Sequence, residues 1–515
     1  MDGMHDEQPD RWGHFARPLF EDPSARALQR VGVVDVGSNS VRLVVFDGAA
    51  RSPAYFYNEK IMCGLGDGMA DTGHLSPEGK KRALSAIRRF QLIADAMEIS
   101  PLTAVATAAM REANDGSAFR KEIETVTGLK LWIIDGDEEA RLSAQGVLLG
   151  WPGAYGLVCD IGGSSMELAE LREGRVGKRM SSRLGPLRLK ALDGGPKART
   201  KHIHAVISDL KEAMGPQKDR LFLVGGSWRA IARIDMERRG YPLAVLHEYR
   251  MTREDAARTC SYIASEETED LRQRAGLGEA RMALVPIAAE VLEQLIAAFK
   301  PRDIAVSSYG IREGMLYEQM PQRLRSRDPL IEAARFSEAK DARIPGFGRQ
   351  LFHFIEPLFP EAPAEVLRLV RAACHLHDVS WRAHPDYRHE VTFEAATRAN
   401  LGGMTHQERV FLGLSLLHRY KNNRSGSRFD PLIALLDEAQ IRQAEVLGKA
   451  MRFGAMLSAQ APELMGRLEW NPKSRQLRMH LARGAEALFG EVVAARFRSL
   501  AIALDAETEV VRPAN

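Results

Sequence analysis

Two related α/β lobes facing each other across a cleft, followed by a mainly helical domain, are what this 515-residue sequence predicts. Three observations carry that prediction. A glycine-rich acidic turn occurs twice, as Val33-Val34-Asp35-Val36-Gly37-Ser38-Asn39-Ser40 and as Val158-Cys159-Asp160-Ile161-Gly162-Gly163-Ser164-Ser165. Around each turn the same succession of strand-like and helical stretches recurs, and a βββαβα plan run through twice implies two related lobes. After about Arg323 the strand-like stretches give way to helical periodicity.

In the first lobe, Val31–Val36, Val41–Asp47 and Ala54–Ile61 read as three successive strands. Ser76-Pro77 starts a helix, with Ser as N-cap and Pro at the first helical position. Thr103–Thr107 and Leu129–Ile134 read as strands, with a helix near Ser117–Val126 between them. The second lobe repeats the plan with strands at Tyr155–Asp160, Met166–Glu170 and Arg175–Ser181, and a helix near Thr200–Met214. Leu221–Val224 enters the turn Gly225-Gly226-Ser227, and Ile304–Ser307 is a late strand before Tyr309-Gly310-Ile311-Arg312-Glu313-Gly314 and a helix.

The expected boundaries are a flexible tail over 1–30, lobe I over 31–140 with 311–322 returning to it, lobe II over 141–310, and a helical domain over 323–515. Arg323–Arg343, rich in charge, reads as a linker. Val366–Trp381, Gln407–Tyr420 and Ala434–Leu457 carry helical periodicity. Arg467–Trp470 and Gln476–Leu481 flank Asn471-Pro472-Lys473-Ser474 as a hairpin, and a last helix follows.

An apolar content of 45% and a charged content of 27% are ordinary for a soluble globular chain. No run reads as the roughly 18 apolar residues needed to span a bilayer. The N-terminal stretch lacks the apolar core of a signal peptide. Cys63, Cys159, Cys260 and Cys374 are scattered with no CxxC, which argues against a disulfide framework or zinc site and for a reducing, cytoplasmic setting. A net charge of +3 gives no global polyanion signature, so no nucleic-acid partner is expected. The sequence contains no GxxxxGK[ST] loop, which disfavours a P-loop nucleotidase.

The two turns are built to hold phosphate. Glycine lets the backbone approach a ligand, and consecutive N–H groups and Ser hydroxyls bind its oxygens. An Asp at the strand end would hold a metal ion or its water. The third junction, Gly225-Gly226-Ser227, opens a helix and would bind phosphate in the same way.

Asp135-Gly136-Asp137-Glu138-Glu139-Ala140-Arg141 follows a strand and opens a helix. Its acidic residues would complement the helix dipole, but the segment also joins the lobes just ahead of the second turn. A carboxylate there would deprotonate a water aligned with a terminal phosphoryl group. Local sequence does not choose between Glu138 and Glu139. Alternation puts Glu167 on the same face as Ser165, as a metal ligand or second carboxylate or as an ordinary strand residue. Arg111 is either a surface arginine or a bidentate phosphate clamp.

In the helical domain His375, His377-Asp378, His384 and His389 look like an incomplete version of a metal-dependent HD phosphohydrolase pattern. Arg419, Lys421, Arg424 and Arg428, with Asn422 and Asn423, form one basic segment; Arg467, Lys473, Arg475, Arg478 and Arg483 form another. They are solvated surface or a track for a long polyanion.

Asp35–Arg42, Thr107–Asn114, Glu138–Arg141, Asp160–Glu167, Gly225–Ser227 and Gly310–Gly314, in that order, resemble the exopolyphosphatase/guanosine pentaphosphate phosphohydrolase family. That family belongs to the actin-like sugar-kinase and heat-shock ATPase superfamily. The resemblance runs from about Arg30 to the C-terminal helix. It implies two actin-like (ribonuclease H-like) lobes, an HD-like helical domain and processive release of orthophosphate from the end of inorganic polyphosphate.

It further implies Glu139 as general base, Glu167 as second functional carboxylate, and Asp160 and Asp35 as the acids linked to Mg²⁺ or Mn²⁺, with Glu167 a further metal ligand. Ser38, Asn39, Ser40, Arg111, Gly162, Gly163, Ser164, Ser165, Gly226 and Ser227 match phosphate-binding positions. A monovalent cation and a homodimer are compatible with the family. Guanosine penta- or tetraphosphate is the alternative ligand, and a non-catalytic sensor the alternative role. Ser164 departs from the family, standing where a third glycine is usual.

Overall fold

The computed structural model describes residues 30–47, 51–99, 102–217, 219–318, 320, 322–423 and 427–513. The expected tail, apart from Arg30, and Arg424 of the first basic segment lie outside the described residues. The chain forms two compact units that meet in sequence between Arg327 and Asp328.

The first unit contains the duplication. In lobe I, β1 (Val31–Val36), β2 (Ser40–Phe46), β3 (Tyr55–Met62), β4 (Leu102–Ala106) and β5 (Leu131–Ile133) form a sheet of order β3-β2-β1-β4-β5. In lobe II, β6 (Gly156–Ile161), β7 (Met166–Arg172), β8 (Arg175–Ser182), β9 (Arg220–Val224), β10 (Arg250–Met251) and β11 (Ile304–Ser307) form a sheet of order β10-β11-β9-β6-β7-β8. Read from the third strand of each lobe, the two orders coincide, with β11 standing where β5 stands. The directions match as well. The first three strands are antiparallel, and β4–β5 and β9–β11 continue parallel to β1 and β6.

Local chemistry sets these elements. Ser76 caps the Pro77–Ala96 helix by accepting from the Gly79 N–H. Asp135 caps the Gly136–Gly150 helix by accepting from the Glu138 N–H. From Leu142 to Gly150 every residue of that helix is buried. With the Ile311–Glu318 helix it shares a core fed by both sheets, including Val33, Val44 and Val105 from lobe I and Val158, Phe222 and Ala305 from lobe II. The two helices approach closely through glycine. A Cβ on Gly314 would stand 1.7 Å from the Leu142 carbonyl oxygen, and one on Gly146 would stand 2.2 Å from that of Gly310.

One stretch, Glu279–Phe299, is long and apolar enough to cross a membrane by length and composition, unlike the expectation. Its Val285–Phe299 helix supplies lobe II core residues such as Val285, Leu292 and Leu295.

In the second unit the charged segment read as a linker is largely helical. Pro329–Asp341 is a helix capped by Asp328, which accepts from the Ile331 N–H. Ala364–Leu376, Arg388–Arg398, His406–Tyr420 and Glu438–Leu457 follow. The helix expected to reach Trp381 stops at Leu376, and Asp378 just beyond it is held by both ends of the Arg343 guanidinium. The expected hairpin is present as β12 (Gly466–Asn471) and β13 (Gln476–Leu481). After the Glu491–Leu504 helix the chain adds β14 (Glu507–Val511), parallel to β13, which the sequence reading missed. Its residues are exposed or half-buried, so no apolar alternation betrays it.

Candidate active site between the lobes

The two turns have equivalent geometry. The Gly37 N–H donates to the Ser40 carbonyl at 3.0 Å, and the Gly162 N–H donates to the Ser165 carbonyl at 3.0 Å. They face each other, since the Ser164 hydroxyl donates to the Ser38 hydroxyl at 3.1 Å. The serine that departs from the family pattern is thus the residue that bridges the turns. Ser165 and Ser227 are buried behind the surface. Asn39 shapes the site through its carbonyl, which accepts from the Cys63 and Gly64 N–H groups. At the third junction Gly225 has φ 113°, and Gly226 leaves room for the Arg281 guanidinium, whose Nη1 lies 1.6 Å from where a Cβ would stand.

The structure separates the paired glutamates. Glu138 is gripped by Arg141, which donates to it at 2.8 Å and 2.6 Å and reaches Glu318 at 2.5 Å. Glu139 is 9% exposed and accepts from Arg111 Nη1 at 3.1 Å, the same nitrogen donating to the Ile134 carbonyl at 2.9 Å. Burial, together with the charges of Asp160 and Asp35 and against the pull of Arg111, raises the Glu139 carboxyl to about 7.

Register lines up the remaining acids. Asp160 pairs with Glu167 across β6–β7, and Glu167 pairs with Ser181 across β7–β8. The Ser181 hydroxyl donates to Glu167 at 2.9 Å, and Ser165 also hydrogen-bonds it. Burial first, then the neighbouring Glu139 and Asp160, hold Glu167 well above the usual carboxylate range. Asp160 accepts from the Ser143 hydroxyl; burial and Asp35 raise it. Asp35 is likewise raised by burial, against Arg312 and Arg42.

Five cations that the sequence reading left unassigned stand around these acids. Arg42 pairs in register with Asp35 and then with Lys60. Burial lowers Lys60, and Arg281, Arg42, Arg229 and Arg312 lower it further, so all five charges share one region. Burial and then Arg312 bring Arg229 to about 10. Arg312 is 8% exposed, with two guanidinium nitrogens lacking hydrogen-bond partners. Mutually repelling cations crowded into one region are what a multiply charged anion would relieve. Arg42 and Arg312 lie in motifs already singled out, and the hairpin register would have revealed Arg42 beside Asp35. Arg229 and Arg281 carry no local signal.

The donor set suits a hard divalent ion. Among the described residues no three His, Cys, Asp or Glu side chains are arranged to chelate a metal by themselves. Magnesium typically takes one or two carboxylates and fills its remaining positions with water and phosphate oxygens. Asp35 and Asp160, at equivalent strand ends and within electrostatic reach of each other, fit that requirement.

Residues 44–323 match the Ppx/GppA phosphatase family. The chain belongs to this family. Residues 330–511 match the exopolyphosphatase C-terminal domain. The Ppx/GppA chain is 26% identical over 314 residues to Exopolyphosphatase 2 of Mycobacterium tuberculosis, covering 56% of this chain and 98% of that one. It is 23% identical over 438 residues to Retrograde regulation protein 2 of Saccharomyces cerevisiae, covering 76% and 73%. The solved exopolyphosphatase of Cytophaga hutchinsonii superposes with a TM-score of 0.52 at 24% identity, covering 57% of this chain and 98% of that chain. The Ppx/GppA assignment accords with the duplicated actin-like α/β lobes and the mainly helical C-terminal domain.

Proposed function

We propose that this Ppx/GppA protein is an exopolyphosphatase that removes the terminal phosphate of inorganic polyphosphate by direct attack of water. The observation that carries the reading is Glu139, a buried carboxylate raised to about 7 beside two facing phosphate-type turns. A base with that affinity for protons is matched to neutral solution. Arg111 orients it, and Glu167 positions the water from the lobe II side. The backbone N–H groups of the turns, with Arg42 and Arg312, stabilise charge spreading onto the phosphoryl oxygens. Asp35 and Asp160 would hold Mg²⁺, or Mn²⁺, with Glu167 contributing through a water, and the ion when bound supplies Lewis-acid neutralisation of the phosphate oxygens. No nucleophilic side chain is required, so no phosphoenzyme forms. A cytoplasmic homodimer, with a monovalent cation as an accessory, completes the proposal.

Guanosine pentaphosphate hydrolysis would use the same groups with a nucleotide in the cleft. The similarity to a protein named for regulation, which covers 76% of this chain, favours a sensor as the second reading. One experiment separates the three. Orthophosphate release is measured with and without Mg²⁺ from long polyphosphate, short polyphosphate and guanosine pentaphosphate. Rapid release from long polyphosphate supports the proposal; preference for the nucleotide supports the alternative; binding without turnover supports the sensor.

A further inference from the structure

Beside the facing turns, two side-chain contacts run from lobe II to lobe I. One is the Ser164–Ser38 hydroxyl pair. The other is an ion pair, in which Arg188 Nη1 donates to the Glu112 carboxylate at 2.8 Å across a sequence separation of 76 residues.

Each end of the ion pair is built onto a part of the site. On the lobe II side, Arg188 belongs to the short helix Pro186–Lys190, which sits directly on the second turn. The Leu187 N–H donates to the Gly163 carbonyl at 2.9 Å. Gly185 enters this helix with no room for a side chain, since a Cβ there would stand 2.2 Å from the Ser164 carbonyl carbon. Leu189 then anchors the helix in the lobe II core. On the lobe I side, Glu112 ends the short helix Ala108–Glu112, whose Ala108, Ala109 and Met110 are buried. Its neighbour Arg111 is the residue that holds Glu139. Two adjacent side chains of one helix thus reach in different directions, Arg111 to the base and Glu112 to lobe II.

The pair is placed for geometry more than for stability. Its side chains are 35% and 24% exposed, so water screens the attraction and the contact adds little to the stability of the fold. What it does supply is a fixed spacing between the support of the second turn and the support of Arg111.

We propose that Arg188 is a positioning residue, which by tying Glu112 holds Arg111 and the Glu139 carboxylate in register with the Gly162–Ser165 turn. This rests on the hydrolytic reading above, in which the turn holds the terminal phosphoryl group and Glu139 takes the proton of the attacking water. That step needs base and phosphoryl group aligned, and a misplacement of about 1 Å costs on the order of 100-fold in rate. The turn belongs to lobe II and Arg111 to lobe I, so a direct tie between their supports sets the alignment. Arg188 acts through Glu112 and does not touch the substrate.

The test is a double-mutant cycle on the full-length protein, assayed with long-chain polyphosphate and Mg²⁺. Arg188→Gln and Glu112→Gln should each lower kcat by about tenfold while KM changes by less than about twofold, and the double variant should be no slower than either single one. Reversing the pair, as Arg188→Glu/Glu112→Arg, should recover rate that Arg188→Glu alone has lost. Hydrogen exchange across residues 107–114, measured without substrate, should quicken in both Gln variants and slow again in the reversed pair. A rise in KM confined to Arg188→Gln would mean that the guanidinium binds substrate directly, and would overturn the proposal. Additive losses in the double variant, or unchanged kcat in both single variants, would overturn it too. The hydrolytic reading falls on different results, no orthophosphate release by the wild type or full turnover by Glu139→Gln, and the exchange measurement then decides the tie by itself.

Discussion

Glu167 stands in lobe II where Arg42 stands in lobe I: each is the antiparallel partner of the aspartate one residue before the end of the first strand of its lobe. The next partner outward is Ser181 in lobe II and Lys60 in lobe I. The duplicated frame thus presents an acidic row from one side and a basic row from the other. A hydrolase needs both, one to handle water and its proton and the other to hold the anion.

Removing the base tests the acidic row. Glu139→Gln should lower orthophosphate release by about 10²–10⁴-fold while polyphosphate binding survives. In the wild type the rate should climb as pH rises towards about 7, because only the ionised carboxylate takes a proton. A pH–rate profile of both proteins checks this, and near-normal turnover by the variant would sink the assignment.

Glu167 makes a prediction about stability. Its folded pKa lies above its ordinary value of 4.5, so its contribution is fully present below about 4.5 and is lost as pH rises through the folded value. Glu167→Gln removes that loss. The melting temperature of the variant relative to wild type should therefore increase between pH 5 and pH 8, as scanning calorimetry at the two values would show.

Arg42 tests the basic row. Arg42→Gln should weaken polyphosphate binding by roughly 10- to 100-fold, the value of a charge-assisted contact. The loss should appear in both KM and kcat, because Arg42 holds the anion and also stabilises the charge that spreads onto its phosphoryl oxygens. An effect confined to kcat would place Arg42 at the reacting phosphoryl group alone.

The helix crossing makes a packing prediction. With a Cβ 1.7 Å from the Leu142 carbonyl oxygen, Gly314→Ala forces backbone apart. Destabilisation of about 3 kcal/mol or more is expected by chemical denaturation, at the upper end of overpacking costs. A change below about 0.5 kcal/mol would mean the crossing has slack.

What could be read in advance follows from how local each signal is. The hairpins at Gly37–Ser40 and Gly162–Ser165 are encoded within a few residues, and alternation correctly placed Glu167 beside Ser165. Local sequence did not separate Glu138 from Glu139, because the partners that hold Glu138 apart include Arg141 tied to Glu318, 177 residues away. Arg229 and Arg281 needed tertiary placement altogether. In the second unit, charge along the chain suggested solvent exposure for Arg419, but four packed helices bury it. β14 escaped because an exposed edge strand has no apolar rhythm.

Between β9 and β11, lobe II carries residues 225–303, which have only a short counterpart between β4 and β5 of lobe I. This interval contributes Arg229 and Arg281 and adds β10 at the sheet edge, while the other five strands keep the order of lobe I. The interval can therefore set the positive charge facing the acids while the hairpins at Gly37–Ser40 and Gly162–Ser165 keep their geometry. Because the interval also supplies core residues such as Trp228, Leu292 and Leu295, substitution at Arg229 and Arg281 alone is the change that would alter this charge and keep the scaffold.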